Sequence, residues 1–157
     1  MKPRLWLLVT GACVAALVAV LLPGCAPVTA EKASPGIVAI DASVLAKTEL
    51  SVIEDVPYWK VTQSRGAKAS GVSVFASADK KFDVGVSQYE QVTLALRDWP
   101  VDEFMYILEG RVQITDNKGN TKTYGPGDAF VMPKGFAGEW RQLSPIKKIN
   151  ISYGDPL

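Results

Sequence analysis

Apolar and polar residues alternate in short runs along most of the chain from residue 37 onward. The runs are rich in Val, Ile, Thr, Tyr and Phe, and Gly, Pro, Asn or Asp interrupts them roughly every eight to twelve residues. A period of two places one face of a strand in a core and the other in solvent or against a second layer. The pattern predicts nine strands, at residues 71–77, 82–88, 89–97, 104–108, 111–115, 121–124, 129–132, 138–143 and 147–153.

The segments between the strands add two local predictions. Residues 116–120, Asp-Asn-Lys-Gly-Asn, tolerate positive φ, so we expect a hairpin there. Residues 41–50 alone have a helical appearance, and that segment is short. Many short strands are typical of a β-sandwich, a jelly roll or a small barrel. The alternation therefore predicts an all-β domain and does not choose among these three topologies.

The first 24 residues have the pattern of an export signal or a membrane anchor. Two basic residues precede an uncharged apolar run at residues 5–22. Three endings are open, namely lipidation of Cys25, cleavage after Ala30, and an uncleaved anchor. The first is favoured because Leu-Pro-Gly-Cys at residues 22–25 resembles the bacterial lipoprotein signal, which implies that Cys25 is lipidated and becomes the first mature residue. All three endings place the domain outside the cytoplasm, and the favoured one predicts a protein anchored by a lipid on the periplasmic side of a bacterial membrane.

Composition bounds the rest of the chain. Residues 25–36 are a predicted linker, and residues 37–157 are long enough for one domain with a core, since 48% of the sequence is hydrophobic. The 17 Lys and Arg residues nearly balance the 16 Asp and Glu residues, which disfavours a nucleic-acid partner. Both cysteines, Cys13 and Cys25, precede the domain, and the chain contains no histidine. The predicted domain therefore lacks the commonest catalytic nucleophile and the commonest general base.

Two spaced motifs select the topology. Glu103 and Gly110 are separated by six residues, and Gly127, Pro133 and Gly135 follow with spacers of five residues and one residue. This spacing is similar to the two motifs of the cupins, and the surrounding residues resemble the branch that contains the ureidoglycine aminohydrolase-like and ethanolamine-utilisation cupins. The resemblance covers residues 71–153. It implies a single small cupin domain, an all-β barrel of the jelly-roll type.

The resemblance also implies where a metal would bind. In metal-binding cupins the first motif supplies two histidines and the second supplies one, at the positions occupied here by Arg97, Trp99 and Gly138. Glu103 alone remains of the usual ligands. One carboxylate beside a guanidinium is a poor site for a first-row transition metal. We therefore predict no tightly bound metal and no cofactor, and the activity of the metal-dependent family enzyme does not carry over.

The period of two predicts what faces the barrel interior instead. If Glu103 points into the barrel, every second residue of its strand does so too, and the same holds for the strand that begins at Gly138. An acid, an amide and an indole then meet in the interior, and the preceding turn adds a guanidinium and a second indole. Such a set suits a small polar or zwitterionic ligand, with the guanidinium on a carboxylate and Glu103 on an amine. The predicted ligand-binding residues are Arg97, Trp99, Glu103, Met105, Trp140 and Gln142.

Several alternatives stay open at this point. Arg97 and Glu103 pair with each other in a simpler interpretation, in which the tryptophans only fill the core; Lys147 and Lys148 are expected to be solvated. The favoured function is a metal-free exported cupin that binds a small polar molecule or has a non-catalytic envelope role. One alternative is a ureidoglycine aminohydrolase-like or other small-molecule enzyme that acts through Glu103, its only candidate catalytic residue. Another is a structural module that forms a homodimer.

Overall fold

Two antiparallel β-sheets face each other in the structure, a computed structural model that describes residues 36–155. A 3-10 helix at Ala42–Lys47 precedes the strands. The strands are β1 (Ser51–Val52), β2 (Trp59–Gln63), β3 (Lys68–Ala76), β4 (Phe82–Tyr89), β5 (Thr93–Leu96), β6 (Asp102–Glu109), β7 (Val112–Asp116), β8 (Thr121–Tyr124), β9 (Ala129–Met132), β10 (Gly138–Gln142) and β11 (Ile146–Tyr153).

The chain crosses repeatedly between the two sheets. The first sheet has the order β1-β3-β4-β11-β6-β9, and the second has the order β2-β5-β10-β7-β8. Most strands that are consecutive in sequence, such as β5 and β6 or β10 and β11, therefore lie in opposite layers, whereas β3 and β4 and also β7 and β8 pair within one sheet. This arrangement of two packed antiparallel sheets is a jelly roll. It confirms the predicted all-β fold class.

The core lies between the sheets and follows the period of two. On β6, Met105 and Ile107 are buried and face the core, whereas Phe104, which points to the other face of the sheet, is 38% exposed. The inward residues of the other strands complete the same cluster; they are Val61, Val92, Leu94, Val112, Trp140 and Ile146.

The 3-10 helix packs on the outer face of the first sheet. Asp41 caps it by accepting a hydrogen bond from the backbone N–H of Ser43 at 2.8 Å. Leu45 is 2% exposed, and its carbonyl accepts a hydrogen bond from the side-chain amide of Gln88 on β4 at 3.2 Å. The helical segment predicted at residues 41–50 is thus a single short 3-10 helix.

All nine predicted strands are present, with shifted ends. The largest difference is at residues 89–97, where Tyr89 completes β4 and β5 begins only at Thr93. The alternation does not predict β1 and β2, which are short strands at the edges of the two sheets. The predicted hairpin joins β7 to β8, and Asp116 accepts hydrogen bonds there from the backbone N–H groups of Lys118 and Asn120 at 2.8 and 2.9 Å.

The N-terminal predictions fall outside the described part of the chain. The signal or anchor at residues 1–24, the lipidation site Cys25 and the linker up to residue 35 precede the first described residue. Within residues 36–155, no helix combines the length and the apolar character needed to cross a membrane.

Candidate functional site

A cavity of about 360 Å³ lies between the two sheets, on the side where β6 begins. Small side chains on β3 and β4 face large aromatic side chains across it, and this difference in size leaves the space open. The small residues are Gly71, Ser73, Gly85 and Ser87, and the aromatic residues opposite are Tyr58, Trp59, Trp99 and Trp140.

A buried ion pair forms part of the cavity wall. Lys148 Nζ lies 3.2 Å from Oε1 of Glu103, and the two side chains are 6% and 8% exposed. Lys148 faces inward because it stands opposite Ile107 on β6 and Ser87 on β4, both of which are buried. Withdrawing two charges from water is costly, and the attraction between them offsets part of this cost.

The expectation that Lys148 is solvated is therefore wrong. Its neighbour Lys147 does lie at the surface, where its Nζ is 2.9 Å from Glu109. Adjacent residues on a strand point to opposite faces, so two consecutive lysines cannot both be on the solvent side of a sheet that has one buried face. Since Ile146 is inward, the period of two gives the signal that assigns Lys148 to the interior.

Further polar groups continue the inner face of β4 and β11. Ser87 donates a hydrogen bond to Oδ1 of Asn150 at 3.2 Å. Asp83 accepts one from the hydroxyl group of Ser73. The ammonium of Lys148 also lies 5.9 Å from the centre of the Tyr89 ring, within the range of a cation–π interaction. This side of the cavity is accordingly polar, in contrast to the indoles opposite.

Three half-buried aromatic rings pack at the edge of the cavity. Trp59 and Trp99 are stacked with their centres 6.1 Å apart and an interplanar angle of 26°. Tyr58 stands edge-on to both, at 5.0 Å from Trp59 and 5.6 Å from Trp99. The indole N–H of Trp99 is buried and has no hydrogen-bond partner among the described residues. We refer to these three residues as the aromatic cluster.

Arg97 lies outside the cavity, contrary to the prediction. It is exposed, and its Nε donates a hydrogen bond to the carbonyl of Pro57 at 3.0 Å. Arg97 directly follows Leu96, an inward residue of β5, so the period of two already turns Arg97 outward. Asp98, whose φ of 50° interrupts the extended backbone, then separates the direction of Trp99 from that of Arg97. The predicted pair between Arg97 and Glu103 is consequently not formed, and Lys148 takes the place of Arg97.

The other predicted residues face inward but differ in role. Met105 and Trp140 line the cavity beside Glu103. Gln142 is 2% exposed and lies outside the cavity wall. Its amide, in the orientation that satisfies both of its polar atoms, donates to the carbonyl of Glu90 at 2.8 Å and accepts from Nε1 of Trp140 at 3.2 Å. Gln142 therefore fixes the orientation of an indole in the wall.

The cupin metal-ligand positions do not fit a first-row transition metal here. Arg97 is turned away from Glu103. Trp99 offers only an N–H donor, which cannot bind a metal ion. Gly138 has no side chain, and a Cβ at this position would overlap the carbonyl oxygen of Thr115. Three of the usual ligands are therefore replaced by groups that cannot coordinate.

The remaining ligand position, Glu103, already has a cationic partner. The ammonium of Lys148 lies 3.2 Å from Oε1 of this carboxylate and repels a metal ion at coordination distance from that oxygen. Within residues 36–155, no group of three or more His, Cys, Asp or Glu side chains is close enough to hold a metal ion. The donor set at this site is thus that of an ion pair.

The pKa of Tyr58 depends on its burial and on the charges nearby. Burial raises the pKa of the Tyr58 hydroxyl above its ordinary value of 10.0, and the negative charges of Tyr89 and Glu103 raise it further. The unfolded chain therefore releases this proton at a lower pH than the folded protein, and stability falls as the pH rises through 10.

Replacement of Tyr58 by Phe is expected to remove this part of the pH dependence. Urea unfolding of the wild type and of Tyr58→Phe across the alkaline range measures it. The stability of the variant should fall less steeply with pH above 10 than that of the wild type. Parallel curves for the two proteins would show that the fold does not raise the pKa of Tyr58.

The fold and the position of the site define the class. Two antiparallel sheets in jelly-roll order, with a motif glutamate facing the space between them, are the architecture of a cupin domain. Residues 78–149 match the EutQ-like cupin domain family. No curated protein matches the sequence.

Solved structures support the same fold. The EutQ protein of Clostridium difficile has 15% sequence identity and a TM-score of 0.54, and the similarity covers 72% of this chain and 86% of that one. A protein of unknown function from Pseudomonas syringae pv. tomato has 19% identity and a TM-score of 0.58, with 67% of this chain and 44% of that chain covered. The chain therefore spans less than half the length of the Pseudomonas protein. At these identities the similarity establishes the fold, while the closer resemblance to ureidoglycine aminohydrolase-like cupins stays a prediction.

Proposed function

We propose that the domain binds a small polar molecule in the cavity between its sheets, without a metal. One observation carries this proposal, namely that the buried Glu103–Lys148 pair lines an open cavity instead of being enclosed by core side chains. Of the two carboxylate oxygens of Glu103, Oε1 receives the ammonium, and Oε2 accepts no hydrogen bond from residues 36–155. This second oxygen is therefore available to accept a hydrogen bond from a donor in the cavity.

The pair also offers complementary groups side by side. Glu103 presents an acceptor, and the three N–H donors of Lys148 are only partly used by that carboxylate. The aromatic cluster and Trp140 supply apolar contact opposite. A volume of about 360 Å³ lies at the lower end of the range of small-molecule sites. A ligand of a few heavy atoms, polar at one end and with an apolar or planar part, matches these walls.

Filling the cavity tests the proposal with a matched pair of variants at Gly71. This residue faces inward opposite Ser87, and an added Cβ would make ordinary contact with the Cβ of Ser87 at 3.5 Å. Gly71→Ala therefore adds one atom without a clash, whereas the side chain of Gly71→Leu extends into the cavity. Thermal unfolding is measured for the purified wild type and both variants against a panel of small amines, amides, alcohols and carboxylates.

At least one compound is expected to stabilise the wild type and Gly71→Ala but not Gly71→Leu. A compound at a hundred times its Kd adds about 2.7 kcal/mol, which raises the unfolding temperature of a domain of this size by several degrees. The proposal fails if no compound in the panel stabilises the wild type, or if Gly71→Leu responds as strongly as Gly71→Ala.

A structural role remains the rival proposal, and one surface favours it. Four apolar residues stand in register across the outer face of the first sheet, one each on β4, β11, β6 and β9. Two of them are well exposed, with Phe104 at 38% and Val131 at 61%. Homodimer interfaces are richer in apolar surface than the rest of a protein, so this row is where a second copy would pack. The row consists of Val84, Ile151, Phe104 and Val131.

The other parts of the functional interpretation stay predictions. Export, attachment to a membrane and lipidation of Cys25 rest on the pattern of residues 1–25. Catalysis through Glu103 rests on this residue alone, and its pairing with Lys148 supplies an adjacent acid and base without indicating a reaction.

A further inference from the structure

We propose that the molecule taken up by this cavity is a small organic cation, with a quaternary or primary ammonium group held between the aromatic cluster and the cavity carboxylates. This inference rests on the proposed function and names the class of ligand. Three independent features carry it: the arrangement of the aromatic rings, the balance of charge in the wall, and the small residues opposite the rings.

The aromatic cluster presents ring faces in two perpendicular directions. Trp59 and Trp99 lie at 26° to each other, and Tyr58 is at 85° and 86° to them. The face of an aromatic ring carries negative potential and attracts an ammonium group that lies over it. The three rings pack against one another with centres 5.0, 5.6 and 6.1 Å apart, so a cation would meet the side of the cluster that lines the cavity. An uncharged apolar ligand gains buried area there but no electrostatic attraction.

The cavity wall carries more negative than positive charge. Two carboxylates, Asp83 and Glu103, line the cavity against one ammonium, that of Lys148. Asp83 and Glu103 both stand opposite Ser152, on the two strands that flank β11. Their backbones are therefore about two strand spacings apart, roughly 10 Å. With one of these charges neutralised by Lys148, the wall retains a net negative charge that attracts a cation and repels an anion.

The negative potential extends to the rings. The charge of Glu103 contributes to raising the pKa of Tyr58, after burial and Tyr89. An ammonium group beside the aromatic cluster would therefore lie in the field of this carboxylate. Gly71 and Gly85 across the cavity keep the space in front of the rings free of side chains. The arrangement of the rings, the charge of the wall and the space in front of the rings therefore all favour a small organic cation.

Three probes of the same shape and different charge test the inference by isothermal titration of the purified protein. Choline carries a trimethylammonium group, its uncharged isostere carries a tert-butyl group in that place, and pivalate joins a tert-butyl group to a carboxylate. Choline is expected to bind at least about tenfold more tightly than the isostere, because the two differ chiefly in the cation–π and ionic attraction. Pivalate is expected to bind more weakly than either.

Variants of Trp59 and Asp83 test whether choline binds beside the aromatic cluster and this carboxylate. Trp59→Leu is expected to weaken choline binding about tenfold, and Trp59→Phe should retain most of it because a ring face remains. Asp83→Asn should weaken choline several-fold and leave the isostere unchanged. Glu109→Gln is the matched control, since it removes the same charge from the exposed pair with Lys147 outside the cavity, and it should bind choline as the wild type does.

The outcomes separate this inference from the proposed function. Tighter binding of the isostere or of pivalate than of choline would overturn the cation assignment while leaving a ligand-binding cavity in place. Choline binding that Asp83→Asn and Trp59→Leu do not alter would also overturn it. If none of the probes binds and the panel of amines, amides, alcohols and carboxylates gives no stabilisation, both the inference and the proposed function are wrong.

Discussion

Replacement of Lys148 by Met is expected to lower the free energy of unfolding by about 3–5 kcal/mol, because it leaves the carboxylate of Glu103 buried without its counter-charge. The side chains of this pair are 6% and 8% exposed, so water in the cavity replaces the missing ammonium only in part. Urea denaturation of the purified variant and the wild type measures the loss. Glu103→Gln is expected to be costly for the complementary reason, since it leaves the ammonium unpaired.

The adjacent lysine provides the control. Lys147 pairs with Glu109 at 2.9 Å, but these side chains are 37% and 63% exposed. Exposed pairs contribute about 0.2–1 kcal/mol, so Lys147→Met should remain within that range of the wild type. The double variant Lys148→Met with Glu103→Gln should lose less than the sum of the single variants, by about 1–3 kcal/mol. Equal losses for Lys147→Met and Lys148→Met would show that the Glu103–Lys148 pair is not buried in solution.

Replacement of Gly110 by Ala is expected to be the most damaging change of a glycine in the two motifs. Gly110 has a φ of 79°, and a Cβ there would overlap the carbonyl oxygen of Pro145 and lie 2.9 Å from Cγ2 of Ile146. The main chain of the turn before β11 would have to move. We expect a loss above about 4 kcal/mol, which is a large fraction of the stability of an ordinary domain.

Gly127 separates the two causes of this loss. It has a similar φ of 89°, but nothing lies within 4 Å of an added Cβ. Gly127→Ala should therefore cost only the strain of a left-handed backbone, about 1–2 kcal/mol. Circular dichroism and urea unfolding of both variants give the comparison. If Gly110→Ala were no less stable than Gly127→Ala, the close approach of residues 110 and 145 would not exist in solution.

Local pattern was enough to predict the layers of this fold. The alternation on β6 and β10 correctly assigned Met105 and Trp140 to the interior, because on a strand of a two-layer fold the side-chain direction follows the residue count. The alternation of apolar and polar residues does not predict the edge strands β1 and β2, since β1 has two residues and the burial pattern of β2 includes only one fully buried position. Their pairing depends on partners that are distant in sequence.

The candidate site was harder to predict for the same reason. The alternation of Leu94 and Leu96 on β5 already turns Arg97 outward, whereas the positive φ of Asp98, which brings Trp99 out of step with Arg97, is not marked by the residue types around it. The true partner of Glu103 is 45 residues away along the chain. Register between β6 and β11 brings Lys148 to it, and register is a property of the assembled sheet.

The central claim is that Lys148 and Glu103 form a buried pair at a site that a ligand reaches. Magnetic resonance of isotope-labelled lysine side chains observes it directly, because a buried, ion-paired ammonium exchanges its protons slowly enough to be seen. We predict one protected ammonium signal that is lost in Lys148→Met, retained in Lys147→Met, and shifted when choline is added to the wild type. The absence of a protected signal, or a signal that neither choline nor any stabilising compound of the panel shifts, would contradict the account.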